Sequence, residues 1–196
     1  DEMEELIVQK PKLRECLNSI KPYVPGKPAE EVERELGLTN VIKMASNENP
    51  LGPSPLALEA MQSAAKKMHI YPDGNCFYLK EALAVKFSLD ASQVILGNGS
   101  DELLSFLTLD YIQPGDEAVM VAPSFSEYIF AMQLMGGIPK SVPLTGDQFS
   151  YDPEKILSAV TANTKIVFIC SPNNPTGSII NKEDLDLRFE WDEDDV

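Results

Sequence analysis

Apolar positions along this chain switch between two periods. Leu58, Met61, Ala65 and Met68 recur at spacings of 3, 4 and 3 behind Ser54 and Pro55, which predicts a helix capped by Ser54, started by Pro55 and burying one face. Beyond a turn at Tyr71-Pro72-Asp73-Gly74, the residues Leu79, Leu83 and Phe87 mark a second helix. From there short apolar runs at 94–96, 118–122, 141–144 and 166–170 alternate with helical stretches. The first of these spans 100–112 with Leu103, Leu104 and Leu107 inward. The second starts at Ser124, carries Tyr128, Ile129, Met132 and Met135, and ends at Gly136-Gly137. The third follows Asp152-Pro153 with Ile156, Leu157 and Val160. The order βαβαβαβ predicts an α/β fold, a mostly parallel sheet flanked by helices and joined by right-handed crossovers.

The two ends stand apart from this alternation. Residues 1–50 contain a helical stretch broken at Pro11, the proline-rich YVPGKP and a short helix at 29–36 stopped by Gly37, so they read as an N-terminal arm. Residues 181–196 carry eight acids against Lys182 and Arg188, the pattern of a solvated or disordered acidic tail.

Composition narrows the functional classes. The 196 residues hold 16 Lys+Arg against 31 Asp+Glu, a net charge of −15, which argues against nucleic acid or an anionic membrane as partner. No window reaches the roughly 18 apolar residues of a membrane span, and the acidic start DEMEEL lacks a leader pattern, so a cytoplasmic protein is expected. Cys16, Cys76 and Cys170 share no C-x-x-C spacing and read as reduced thiols. A single histidine, His69, closing a helical run, leaves no metal constellation.

Ligands of open α/β sheets bind beyond the carboxyl ends of the strands, and three loops there are unusual. GNGSDE (97–102) runs from a strand into a helix. It reads either as an anion site made of first-turn amides or as a plain capped helix whose acids complement the dipole. APSFSEY (122–128) puts Phe125 and Tyr128 past a strand end, as core or as a surface on which a flat ligand stacks. SPNNPTG (171–177) packs two prolines, two amides and a glycine into seven residues, more constraint than a plain turn needs.

With GNGSDE and PSFSEY ahead of it, SPNNPTG resembles the class I/II pyridoxal-phosphate aminotransferases of fold type I. PYVPGKP (22–28), MASNENPLGPSP (44–55) and YPD (71–73) resemble the histidinol-phosphate aminotransferase family in particular. The resemblance runs from about residue 20 to 182 and leaves out the last dozen residues. It implies the N-terminal part of a fold type I large domain: residues 1–50 as arm and small-domain segment, 51–180 as a partial cofactor-binding domain, 181–196 as a divergent tail. It assigns the cofactor phosphate to Gly99, Ser100 and Asp101, ring stacking to Phe125, a ring hydrogen bond to Asn174 and a phosphate contact across a homodimer to Tyr71. Tyr23 and Asn49 would face the substrate, and the Asn174–Pro175 bond would be cis.

The implied activity is pyridoxal 5'-phosphate-dependent transfer of an amino group between histidinol phosphate and 2-oxoglutarate, in histidine biosynthesis. The amino donor and the 2-oxo acid would be the small-molecule partners. The family's Schiff-base lysine, its acid at the ring nitrogen and its substrate arginines follow NPTG; here 19 residues follow Gly177, and neither Lys182 nor Arg14, Arg34 or Arg188 sits in a matching motif. No catalytic residue is therefore assigned. The chain reads as an N-terminal half whose strand at 94–96 lacks its neighbour, inactive alone. Other class I/II enzymes, an aromatic aminotransferase or a threonine-phosphate decarboxylase, remain alternatives, as does a noncatalytic binding fragment.

Overall fold

The helices begin and end where local chemistry dictates. In the computed structural model, which describes residues 12–18, 20 and 26–186, α1 (Ala29–Leu36) stops at Gly37 in the left-handed conformation, φ 67°. The chain divides into two units, residues 21–94 and the remainder.

The first unit contains α1, α2 (Pro55–Ala65), α3 (Phe77–Phe87) and a 3-10 turn at Ala91–Gln93. Asp73 starts α3 by accepting hydrogen bonds from the Phe77 amide (3.0 Å) and the Asn75 amide (3.0 Å), and these hold its carboxyl below the usual range. Three expectations are corrected here. Ser54 precedes α2 but makes no side-chain cap. The stripe Leu58, Met61, Met68 is exposed, because nothing within this unit covers it. Residues 94–96 form no strand: Val94 is extended, φ −111° and ψ 117°, but extended backbone becomes a strand only when a neighbour completes its hydrogen bonds.

The second unit is layered. Its elements are a 3-10 turn at Glu15–Asn18, α4 (Gly99–Tyr111), β1 (Glu117–Ala122), α5 (Ser126–Leu134), β2 (Ile138–Pro143), α6 (Pro153–Ala159), β3 (Thr164–Phe168) and α7 (Lys182–Asp186). The sheet is parallel in the order β2-β1-β3. Central β1 is a continuous apolar run buried on both faces, whereas β2 carries Pro139 and Pro143, which an edge strand tolerates. Ala118 and Met120 of β1 join Leu104, Ala131, Met132 and Phe168 on one face, and Val119 and Val121 join Val142 and Ile156 on the other. Hence α4 and α5 lie on one side and α6 on the other, as one crossover hand requires when the chain reverses direction across the sheet.

Close packing fixes the return from α5 to β2. A side chain at Gly137 would stand 2.6 Å from Met132 Cε and 2.8 Å from Ile112 Cγ2, so only glycine fits. Asp152 caps α6 by accepting from the Lys155 amide. In α4, Leu104 is buried but Leu107 is 44% exposed; leucines and Phe106 surround that helix, and only one side meets the sheet. Most of the acidic tail lies outside the described residues. No helix among the described residues is long and apolar enough to cross a membrane, and none of the three cysteines forms a disulfide.

Candidate functional site

The carboxyl edge of the sheet gathers the three unusual loops. Only residues 112–116 separate α4 from β1, and the 13 residues of that helix, at about 1.5 Å each, run back about the length of a six-residue strand at about 3.3 Å each. The first turn of α4 therefore lies at the end where β1 and β3 finish.

Residues 97–102 are shaped by their own side chains. The Glu102 carboxylate accepts from the Asn98 amide (2.6 Å) and from Asn98 Nδ2 (3.2 Å), and the Gly99 amide donates to the Gly97 carbonyl (2.9 Å). Asn98 holds the N-cap position without a side-chain cap, so no cap meets the first-turn amides of the exposed Ser100 and Asp101. Gly99 has φ +79°, and nothing lies within 4 Å of where its side chain would be. The backbone here is open to close approach. Loops 97–102, 122–128 and 171–177 contain no Lys or Arg, so amides and the helix dipole are their means of attracting an anion.

Beyond β1, Phe125 is half-buried at the start of α5. It meets Tyr128 edge-on at 5.6 Å and 87°, and Tyr128 stacks on Phe168 at 4.6 Å and 13°. Phe125 and Tyr128 pack against the core cluster, which bears out the core reading, and Phe125 keeps an accessible portion. Burial first, and then Cys170, push the Tyr128 phenol well above its ordinary value. Behind it, Tyr151 donates its hydroxyl to the Cys170 carbonyl; burial raises that phenol to about 12.

Beyond β3, the Asn174–Pro175 bond is cis, as are Ser171–Pro172 and Ala122–Pro123. Asn174 is half-buried and its side chain makes no hydrogen bond among the described residues. Its neighbour Asn173, to which sequence reasoning gave no role, is 3% exposed and joins the loops. Asn173 Oδ1 accepts from Ser124 Oγ (2.7 Å), while Nδ2 donates to the Pro123 carbonyl (2.9 Å) and to Thr176 Oγ1 (2.8 Å). Its amide donates to the Ser178 carbonyl (2.8 Å) and its carbonyl accepts from the Gly177 amide (2.7 Å). The doubled amide before Pro175 was the available signal, since two adjacent amides on a constrained turn cannot both face a ligand.

The structure thus brings the Phe125 and Asn174 loops together and places Gly99, Ser100 and Asp101 at the same edge. Tyr71 and Asn49 belong to the other unit. Tyr71 is 98% exposed; Asn49 spends its side chain locally, accepting from the Leu51 amide (3.0 Å) and donating to the Gly52 carbonyl (3.3 Å). Tyr23 lies outside the described residues.

Comparison with known proteins adds to this geometry. Residues 39–187 match the family described as aminotransferase class I and II. Over 183 residues the chain is 55% identical to a histidinol-phosphate aminotransferase of Moorella thermoacetica, covering 93% of this chain and 47% of that protein. It is 48% identical to histidinol-phosphate aminotransferase 2 of Carboxydothermus hydrogenoformans, covering 91% and 49%. The chain spans about half the length of the curated relatives it matches. Among solved structures it is similar to the histidinol-phosphate aminotransferase of Sinorhizobium meliloti in complex with pyridoxal-5'-phosphate, with a TM-score of 0.73, 27% identity, and coverage of 85% of this chain and 44% of that one.

Proposed function

We propose, from the premise that this chain belongs to the class I and II aminotransferases, that it forms the phosphate- and ring-facing half of a pyridoxal 5'-phosphate site in a histidinol-phosphate aminotransferase. The observation that carries this reading is the convergence at one sheet edge of an uncapped helix start and two loops joined through Asn173. Similarity to two enzymes named for that activity supports the substrate class.

The residues present fit the cofactor. An anionic phosphate suits the Ser100 and Asp101 amides, and Gly99, bare of a side chain and with open space where one would stand, permits the approach. The accessible part of Phe125 offers a flat wall, and Asn174 a carboxamide whose hydrogen-bonding capacity is not spent within the fold. When bound, pyridoxal 5'-phosphate supplies the electron sink for amino transfer. The chain's own work is to orient it: amides at one end, an aromatic face and an amide at the other. Residues 51–180 are the cofactor-binding portion in this reading, 1–50 the arm and 181–196 a tail, with Tyr23 and Asn49 toward the substrate and Tyr71 toward the phosphate of a partner in a homodimer.

The test is a chimaera in which residues 1–186 replace the matching half of the Moorella thermoacetica enzyme. Amino transfer between histidinol phosphate and 2-oxoglutarate is expected. Cofactor retention with preference for an aromatic or other donor would shift the reading to another class I/II enzyme, and failure to retain cofactor in a folded chimaera would overturn it.

A further inference from the structure

We infer that Asn173 is a positioning residue of the proposed cofactor site, setting Phe125 and Asn174 relative to each other without touching the ring. The inference rests on the cofactor reading above, and it adds a residue to which neither the sequence motifs nor the proposed contacts assign a role.

Asn173 is 3% exposed, and both side-chain polar atoms and both backbone polar atoms are engaged in hydrogen bonds of 2.7–2.9 Å. A carboxamide has one acceptor oxygen and two N–H donors. The oxygen receives the Ser124 hydroxyl, and the two donors go to the Pro123 carbonyl and Thr176 Oγ1. No other side chain of this size offers that set. Aspartate has the shape but turns the donor edge into an acceptor facing the Pro123 carbonyl, which has nothing to donate.

Its connections are what make it more than a buried amide. Pro123 and Ser124 stand immediately before Phe125; Thr176 and Ser178 close the turn that displays Asn174. Thr176 Oγ1 continues to Ser178 Oγ (2.9 Å), which reaches the Gln148 carbonyl (3.2 Å). One side chain thus ties the loop after β1 to the loop after β3, where the sheet ladder has already ended: the last paired residues are Met120 and Phe168. Past that point the backbones share no strand hydrogen bonds, and the carboxamide replaces them. The start of α4 has its own closure through Glu102 and Asn98 and shares none of these bonds. The two ends of the site are therefore separable.

That separation gives the test. In the 196-residue chain, Asn173→Asp and Asn173→Ser are compared with wild type by calorimetric titration of pyridoxal 5'-phosphate and, separately, of inorganic phosphate. Amide hydrogen exchange is followed without ligand. Exchange in 124–128 and at Gly177 should accelerate in both variants, while that in α4 stays unchanged. Affinity for pyridoxal 5'-phosphate should fall about tenfold or more, with inorganic phosphate affinity kept within about twofold. Ser124→Ala, which removes only the bond to Oδ1, should give a smaller change in the same direction and guards against misfolded Asn173 variants. Unchanged exchange in the two loops, equal loss of both ligands, or undiminished cofactor affinity would each overturn the inference. Should wild type bind neither ligand while the exchange pattern holds, the cofactor reading fails and the positioning role falls with it, leaving Asn173 a structural tie.

Discussion

Tyr128 and Phe168 lie ring on ring, 4.6 Å between centroids and 13° between planes, so the first turn of α5 rests on the last residue of β3. Phe125 meets Tyr128 edge-on, and its pose depends on that stack. Tyr128→Leu keeps apolar bulk and removes the stack, and should destabilise the protein by about 0.5–1.5 kcal/mol. Denaturant unfolding measures this; an unchanged midpoint with unchanged m-value would show that the stack contributes nothing.

Alkali should act through the phenols behind the site. Tyr151 has its value raised to about 12 from the ordinary 10.0, by burial first. A raised folded value means the stabilising contribution is fully present below pH 10 and is lost as pH rises toward 12, because the unfolded chain ionises first. Tyr151→Phe should flatten that decline and delete one late-titrating phenolate absorbance. It also removes the bond to the Cys170 carbonyl, so stability at neutral pH should fall by about 0.5–1.5 kcal/mol.

The opposite sign holds at the other end of the sheet. Glu117 is held below the ordinary 4.5, chiefly by its hydrogen bond to Lys140 (Nζ to carboxylate 2.8 Å) and then by Thr161. A lowered folded value contributes above pH 4.5 and is lost as pH falls through the folded value. Glu117→Gln should therefore be less stable than wild type at neutral pH, and the gap should close in acid. A gap that stays constant with pH would exclude charge as its origin.

Gly99 separates a phosphate site from a helix cap. Space is open around it, so the strain of Gly99→Val comes from φ +79° alone. Affinity for inorganic phosphate and for pyridoxal 5'-phosphate should fall together, unlike the split expected at Asn173. Equal affinities in variant and wild type would mean that this loop only caps α4.

Assayed alone, the 196-residue polypeptide should not turn over histidinol phosphate, since none of its lysines sits in a motif that matches the family's cofactor-bearing lysine. Borohydride reduction with pyridoxal 5'-phosphate, followed by peptide mapping, should show scattered substoichiometric labelling. One stoichiometrically labelled lysine accompanied by turnover would refute this.

Local spacing was enough for much of the molecule. The alternation from residue 100 onward announced the parallel layers, Asp152-Pro153 and Gly37 marked helix ends, and the apolar run at 118–122 marked the strand that the structure buries on both faces. The three loops were legible too, because glycine, proline and asparagine act within a few residues of themselves. What could not be read off was everything that depends on a distant partner. Residues 94–96 have the composition of a strand and no ladder, since pairing is a property of two segments. The stripe on α2 has helical spacing and no cover, and α4 buries Leu104 but leaves Leu107 outside, since a hydrophobic face records a preference for burial without naming what buries it. Asn173 and Asn174 are adjacent and chemically identical in the sequence. Their division of labour arises because the turn aims one carboxamide back at Pro123 and Ser124, some fifty residues earlier in the chain, and leaves its neighbour at the edge.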